Sequence, residues 1–281
     1  MVDTATTLSN KTLRPFSKES STEQTPPRLP EELVRMVISH VCCLGDLESC
    51  SRTCRLWNQI TFPRLHHSLT LTVPPTHDPR PNEWCKPLLA LHQLSLLQYI
   101  QRLDIKSWEV AFTRKHLEPN RLYFAAFNNL QELSLYYLAL PTFMPLVGGD
   151  FDHFAPTLQS LALFNPKASS RQMLCFIALF RHLRDLKLVR FTPTREDAET
   201  VNLLLLPRPP LDGWLTLAYI GFQEDDFVDT MITFYKRLRF RCVYLINVER
   251  AERVLRACAE TMEKLEMGES CYDDSGKNIF R

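Results

Sequence analysis

One short pattern constrains this chain more than any other. An apolar-x-x-Leu-x-apolar motif recurs as Ile100, Leu103, Ile105; as Leu130, Leu133, Leu135; as Leu158, Leu161, Leu163; and as Leu183, Leu186, Leu188, at steps of 30, 28 and 25 residues. Weaker copies follow at Leu215 and Leu217, 29 residues on, at a strand-like Cys242 to Ile246, and at Met262, Leu265, Met267. A period of this size means one supersecondary unit per repeat, each too small to bury its own apolar face and so obliged to stack on its neighbour. Between the copies lie segments of helical character: Arg114 to Phe127, Ser170 to Arg181 with Ser169 or Ser170 as cap, Thr194 to Leu204 with Asp197 near the cap, and Glu249 to Cys258. Alternating strand and helix requires parallel strands joined by crossovers, with the helices outside. The fold class expected is therefore α/β.

The period fits a leucine-rich repeat, in which each unit gives one strand and one return. The ninth motif position, where Asn or Cys commonly satisfies the turn, holds Trp108, Leu138, Pro166 and Phe191 here. An irregular, leucine-rich-repeat-like solenoid is thus expected over residues 63–267. Side chains alternate along a strand, so residues flanking the inner leucines point away from the helices. Those are Asp104, Lys106, Ser134, Tyr136, Ala162, Phe164, Lys187 and Val189. Asp104, Lys106, Ser134, Tyr136, Phe164 and Lys187 are candidate target-binding residues, with Tyr136 and Phe164 as anchors; packing against neighbouring loops is the other reading of the same positions.

The first 60 residues read differently. Residues 1–25 hold only Leu8, Leu13 and Phe16 as larger apolar groups, too few to offset the entropy of ordering, and are expected to be a disordered arm. After Pro26-Pro27, Pro30 with Glu31 and Glu32 starts a helix running to about Val41, and Leu33, Met36, Val37 and Val41 form its buried stripe, broadened by Ile38. Gly45 breaks the pattern. Asp46 then caps a second helix on which Leu47, Cys50, Cys54 and Trp57 share a face. Beyond Phe62-Pro63, Leu69 to Val73 alternates as a strand, and Lys86 to Gln101 reads as a helix. Residues 268–281 form a tail.

Leu29-Pro30-x-Glu32-Leu33, Val37-Ile38-Ser39-x-Val41, Asp46-Leu47-x-x-Cys50 and Cys54-Arg55-x-Trp57 together resemble the F-box of SCF ubiquitin ligase receptors. The stretch between Val41 and Leu47 is one residue longer than in many members, and Cys50 and Thr53 stand where bulkier aliphatics are frequent. The resemblance implies an F-box over residues 26–62. It also implies that Leu29, Pro30, Leu33, Ile38, Leu47, Cys54 and Trp57 dock on a Skp-type adaptor, and through it on a cullin and a ubiquitin-conjugating enzyme. An F-box followed by leucine-rich-like repeats is a familiar pairing in this family, many of whose members occur in fungi. The function implied is a non-enzymatic substrate-recognition adaptor for some target protein; an interaction scaffold without ubiquitin transfer is the alternative.

Composition narrows the remaining classes. With 33 Lys plus Arg against 32 Asp plus Glu, there is no global field toward nucleic acid or an anionic membrane, and neither partner is expected. The first residues carry no apolar leader-like run and no apolar stretch approaches a bilayer span, so a cytoplasmic and/or nuclear location is expected. Nine cysteines are then read as reduced thiols, and Cys42, Cys43, Cys50 and Cys54, which lack a Cys-x2-Cys spacing, as core packing without metal. No cofactor is expected: the seven glycines make no phosphate-cradling loop. His66-His67 and Asp152-His153 have no partner at a catalytic spacing, and a catalytic cysteine among the repeats is the remaining enzyme reading. Lys236 to Arg241 could touch phosphate but reads better as a solvated edge, and Glu224 to Asp226 as a helix start.

Overall fold

Every copy of the leucine motif becomes a strand. The structure, a computed structural model, describes residues 29–73, 83–107, 121–140, 155–191, 193–194, 208–220, 227–236, 238–248 and 251–268. Its eight strands are β1 (Ser68–Val73), β2 (Arg102–Ser107), β3 (Glu132–Tyr136), β4 (Ser160–Phe164), β5 (Asp185–Val189), β6 (Trp214–Ile220), β7 (Cys242–Val248) and β8 (Lys264–Met267), in one sheet ordered as in the sequence. All neighbours pair in parallel. A run of strands in chain order, each joined to the next by a crossover, is the solenoid-like α/β arrangement expected.

The register explains the motif. Leu69, Leu103, Leu133, Leu161, Leu186, Leu215, Val243 and Leu265 stand side by side in one row; Leu71, Ile105, Leu135, Leu163, Leu188, Leu217, Leu245 and Met267 form the next on the same face. Both rows are sealed from β2 to β7. They are covered by α4 (Lys86–Gln93), α5 (Arg121–Phe124), α6 (Ser170–Ala178), α7 (Phe227–Tyr235) and α8 (Ala251–Cys258), which contribute Leu88, Phe124, Phe176, Met231 and Val254 to a single core. At about 1.5–3 kcal/mol per fully buried large aliphatic or Phe side chain, these rows dominate the fold's stability. The start of α6 is fixed by a capping box: the Gln172 amide N–H donates to Ser169 Oγ at 3.2 Å, and the Ser169 amide donates to Gln172 Oε1 at 2.9 Å.

Two backbone devices repeat with the strands. At the entry end, one carbonyl accepts two consecutive N–H groups from the next repeat: His67 from Gln101 and Arg102, Gln101 from Gln131 and Glu132, Gln131 from Gln159 and Ser160, Gln159 from Arg184 and Asp185. At the exit end, Tyr137, Asn165, Arg190, Tyr219 and Asn247 all adopt left-handed backbone, with φ of 58, 53, 56, 56 and 49°. Each stands two residues past the second inner apolar side chain. Where the ninth motif position is described, Leu138, Pro166 and Phe191 are buried there, so the left-handed step returns an apolar residue to the core in place of a polar turn plug. The strain, about 1–2 kcal/mol for a non-Gly residue, is offset by that burial.

Several expected boundaries move. The helix read over Lys86 to Gln101 stops at Gln93; Ser95 is left-handed, φ 56°, and a single 3₁₀ turn at Leu97–Tyr99 follows. Leu94 and Leu96 kept the apolar period going through a turn, which hid the break. The Ser170 helix stops at Ala178 rather than Arg181. Only Arg121–Phe124 of the segment 114–127 lies in a described helix, and the run 195–204, the acidic run 224–226, Asp152-His153, the arm 1–25 and the tail beyond 268 lie outside the described residues.

Candidate docking surfaces

Ahead of the sheet lie α1 (Glu31–Ser39), α2 (Leu44–Ser51) and α3 (Arg55–Leu65). Pro30 is the N-cap of α1, with Glu31 and Glu32 in its first turn, where acids favour the positive helix end. α1 is apolar on two faces, and α3 can cover only one. The buried face is Val34 and Ile38, which pack with Leu47 of α2 against Val41, Leu56, Trp57, Ile60 and Leu65. Of the stripe expected from the sequence, Ile38 and Val41 pack inward, while Leu33, Met36 and Val37 form the outer face. Leu29, Leu33, Met36, Val37 and Leu44 are 55, 42, 55, 49 and 57% exposed.

The second helix of the sequence reading is in fact two. The chain breaks at Arg52 to Cys54, and Cys54, in extended backbone, is the N-cap of α3. α2 begins at Leu44 behind Cys43, so Gly45 and Asp46 sit inside its first turn and Asp46 acts on the helix dipole rather than as cap. Arg64 of α3 ties the module together: its guanidinium donates from Nη1 to the Ile38 carbonyl and from Nη2 to the Val41 carbonyl, the latter at 3.0 Å. The Ile38 carbonyl also accepts from the Val41 N–H at 3.1 Å, so Arg64 adds a second donor there and supplies the cation that the last turn of α1 lacks.

Among the residues expected to meet the adaptor, Leu29, Pro30, Leu33 and Cys54 are exposed and Trp57 is half-buried against the module's core. Ile38 and Leu47, at 1 and 5% exposure, lie in the module's internal core. Met36, Val37 and Leu44 are exposed alongside Leu29 and Leu33. The signal that could have found them was the presence of two apolar faces on one short helix, more than a three-helix module can bury.

The cysteines divide by region. Cys42, Cys43 and Cys54 are exposed and Cys50 is half-buried, which corrects their assignment to the core; Cys85, Cys175 and Cys258 are buried beneath the sheet. Burial pushes the Cys175 thiol up to about 11 and the Cys258 thiol up to about 12, the opposite of what a nucleophilic thiolate needs. No group of three His, Cys, Asp or Glu able to hold a metal occurs among the described residues, and no described helix is long and apolar enough to cross a membrane.

His66 and His67 form the joint between module and sheet. The Phe62 ring meets His66 at 4.5 Å and Tyr99 at 5.8 Å, both edge-on, and burial lowers the His66 pKa. His67 Nδ1 lies 2.6 Å from the Arg64 carbonyl, while its own carbonyl opens the ladder described above. These are structural duties.

Among the described residues, no helix covers the sheet's second face. Asp104, Lys106, Ser134, Tyr136, Ala162, Phe164 and Val189 are half-buried on it and Lys187 is exposed. Three of these make direct contact: Tyr136 stacks on Phe164 with centroids 4.3 Å apart and planes 11° from parallel, and the Lys187 ammonium sits 5.3 Å from the Phe164 centroid. Asp104 Oδ2 accepts from Arg102 Nε at 3.3 Å, but its Oδ1 is buried without a hydrogen-bond partner. Burial, and then the Asp104 charge, raise the Tyr136 pKa. Sequence reading missed Arg190, Trp214 and Tyr219 on this side, with Arg190 lying 6.0 Å from the Tyr219 ring centre and Lys264 lying 5.6 Å from that of Trp214. They sit at strand ends, where the alternation that located the others stops.

No curated protein matches this chain. A family model described as F-box-like matches residues 27–72, a span that takes in all three helices and runs past residue 62 into β1. Residues 27–72 are an F-box-like domain.

Proposed function

We propose that the chain is the target-recognition subunit of an SCF-type ubiquitin ligase. The F-box-like domain supports an adaptor role, and the observation that carries the reading is the outer face of its first helix. Leu29, Leu33, Met36 and Val37 stand in water beside a module whose own core is three fully buried side chains. Large apolar groups left outside so small a core mark a surface that a partner completes. Leu29, Pro30 and Leu33 dock on the Skp-type adaptor with Leu44, Cys54 and Trp57 around them, and the adaptor brings the cullin. The sheet resembles leucine-rich repeats, and its helix-free face holds the target protein while the ligation chemistry happens on other subunits. Such an assembly works in the cytoplasm, the nucleus or both.

Co-purification with a Skp-type adaptor tests the docking half. The native chain is expected to be retained, and a Leu29→Ala, Leu33→Ala, Met36→Ala variant with an unchanged circular dichroism spectrum is expected to be lost. A native chain that does not bind the adaptor would sink the reading. Adaptor binding without cullin-dependent ubiquitin transfer to any bound protein would replace it with that of a scaffold.

A further inference from the structure

Among the described residues the helix-free face holds one apolar row, half-buried along its length except at Ala218, which is 4% exposed and forms its floor. Register places Tyr136, Phe164, Val189, Ala218 and Ile246 side by side across β3 to β7. Strands lie about 4.8 Å apart, so the row is about 19 Å long. Among the described residues of these strands and their exit turns, the positions bordering the row carry one charge on each side, Lys187 and Arg190, and both are cations at its middle. Each lies against an aromatic ring, Phe164 or Tyr219, at 5.3 and 6.0 Å from the ring centre, while remaining exposed.

From this spacing and charge we infer that the row receives an acidic amphipathic helix of the target protein. The inference rests on the assignment of this face to target binding. Successive turns of a helix repeat every 5.4 Å, close to the roughly 4.8 Å between strands, so four turns, about 22 Å, set one apolar side chain on each strand. An extended segment presents same-side residues only every 6.6–6.8 Å and falls out of step within two strands. A helix along the row carries its borders over Lys187 on one side and Arg190 on the other, where carboxylates gain and ammonium groups lose. The Tyr136 and Phe164 stack provides the aromatic anchor on which binding energy concentrates.

Three fluorescein-labelled peptides of about 16 residues, long enough for four turns, test this on the full chain by fluorescence anisotropy. One has a Leu/Ala stripe bordered by Glu, the second the same stripe bordered by Lys, and the third the first peptide's composition in scrambled order. The Glu-bordered helix is expected to bind about tenfold or more tighter than either of the others, with the advantage shrinking in high salt. Lys187→Glu with Arg190→Glu reverses the preference between Glu and Lys borders, and Lys187→Gln with Arg190→Gln abolishes it. Equal binding of all three peptides, no binding of the Glu-bordered helix, or a preference unmoved by both double variants would overturn the inference. Because adaptor binding is scored separately, such a result leaves the docking assignment standing, whereas loss of adaptor binding alone removes that assignment and not this one.

Discussion

In the sheet, Leu103, Leu133, Leu161 and Leu186 are sealed by the next repeat on either side, whereas in the helical module Leu29, Leu33 and Leu44 stand in water. The difference lies in what each architecture can cover. A strand in the middle of the solenoid has a neighbour on both edges and a helix above its inner face, so a leucine placed inward is always finished by the chain itself. The helices α1 to α3 pack around Val34, Ile38 and Leu47, and among the described residues no further element lies over the rest. Apolar residues thus mean stability in one region and availability in the other.

The first way to break this contrast is at the centre of the sheet. Leu163 lies in the second inner row, paired with Leu135 and Leu188 and fully buried. Leu163→Ala is expected to cost about 2–5 kcal/mol, because it removes transferred apolar surface and leaves a cavity between two repeats that cannot close on it. Urea titration followed by tryptophan fluorescence reads the cost as a lowered midpoint. A loss below about 1 kcal/mol would mean that the repeats do not share one core, since a deletion at a joint of a linear array weakens both neighbouring interfaces.

What the sequence disclosed follows the same divide. The inner rows were legible because each strand repeats Leu at the same two positions, and the pairing register returns those residues opposite each other. The helix-free face was legible for the same reason, since alternation leaves no choice once the inner face is known. The exit turns were not: Tyr137, Asn165 and Arg190 share a left-handed backbone but no chemistry, so no residue type announces the turn. The shared carbonyls at the entry end are made by backbone alone and leave no mark in the text. On α1 the apolar pattern was plain but ambiguous. Leu33, Met36 and Val37 suit a buried stripe as well as Val34, Ile38 and Val41 do, and only the placement of α3 and its Arg64 decides which face is inside.

A second, smaller effect separates the two regions by their thiols. Cys42, Cys43 and Cys54 of the module are exposed and should react with a disulfide reagent in the native chain, while Cys85, Cys175 and Cys258 should react only on unfolding. The buried thiols also make the sheet sensitive to alkali. Folded Cys258 keeps its proton until about pH 12 and folded Cys175 until about 11, against an ordinary value of 9.0. Above pH 9 the unfolded chain therefore releases protons that the folded chain retains, and stability falls as pH rises, by up to about 1.4 kcal/mol per pH unit for each thiol. Cys258→Ala should flatten the decline between pH 9 and 10.5 relative to the native chain. An identical slope in the variant would show that this thiol titrates alike in both states.

The smallest effect expected on stability is the most telling one. In the free chain Leu33 is 42% exposed and gains little from folding, and alanine is at least as good a helix former, so Leu33→Ala should shift the unfolding free energy by no more than about 0.5 kcal/mol. Ile38→Ala, one turn and a residue further along the same helix, should cost a few kcal/mol, because its side chain fills the space between the three helices. In the presence of adaptor the order inverts in kind. Leu33→Ala should then forfeit most of the thermal stabilisation that adaptor binding gives the native chain, since a ligand raises the melting point only through its affinity for the folded form. Melting curves of both variants, with and without adaptor, decide the matter. If Leu33→Ala destabilises the free chain by more than about 1 kcal/mol, the residue belongs to the module's core and the outer face of α1 is not a reserved surface.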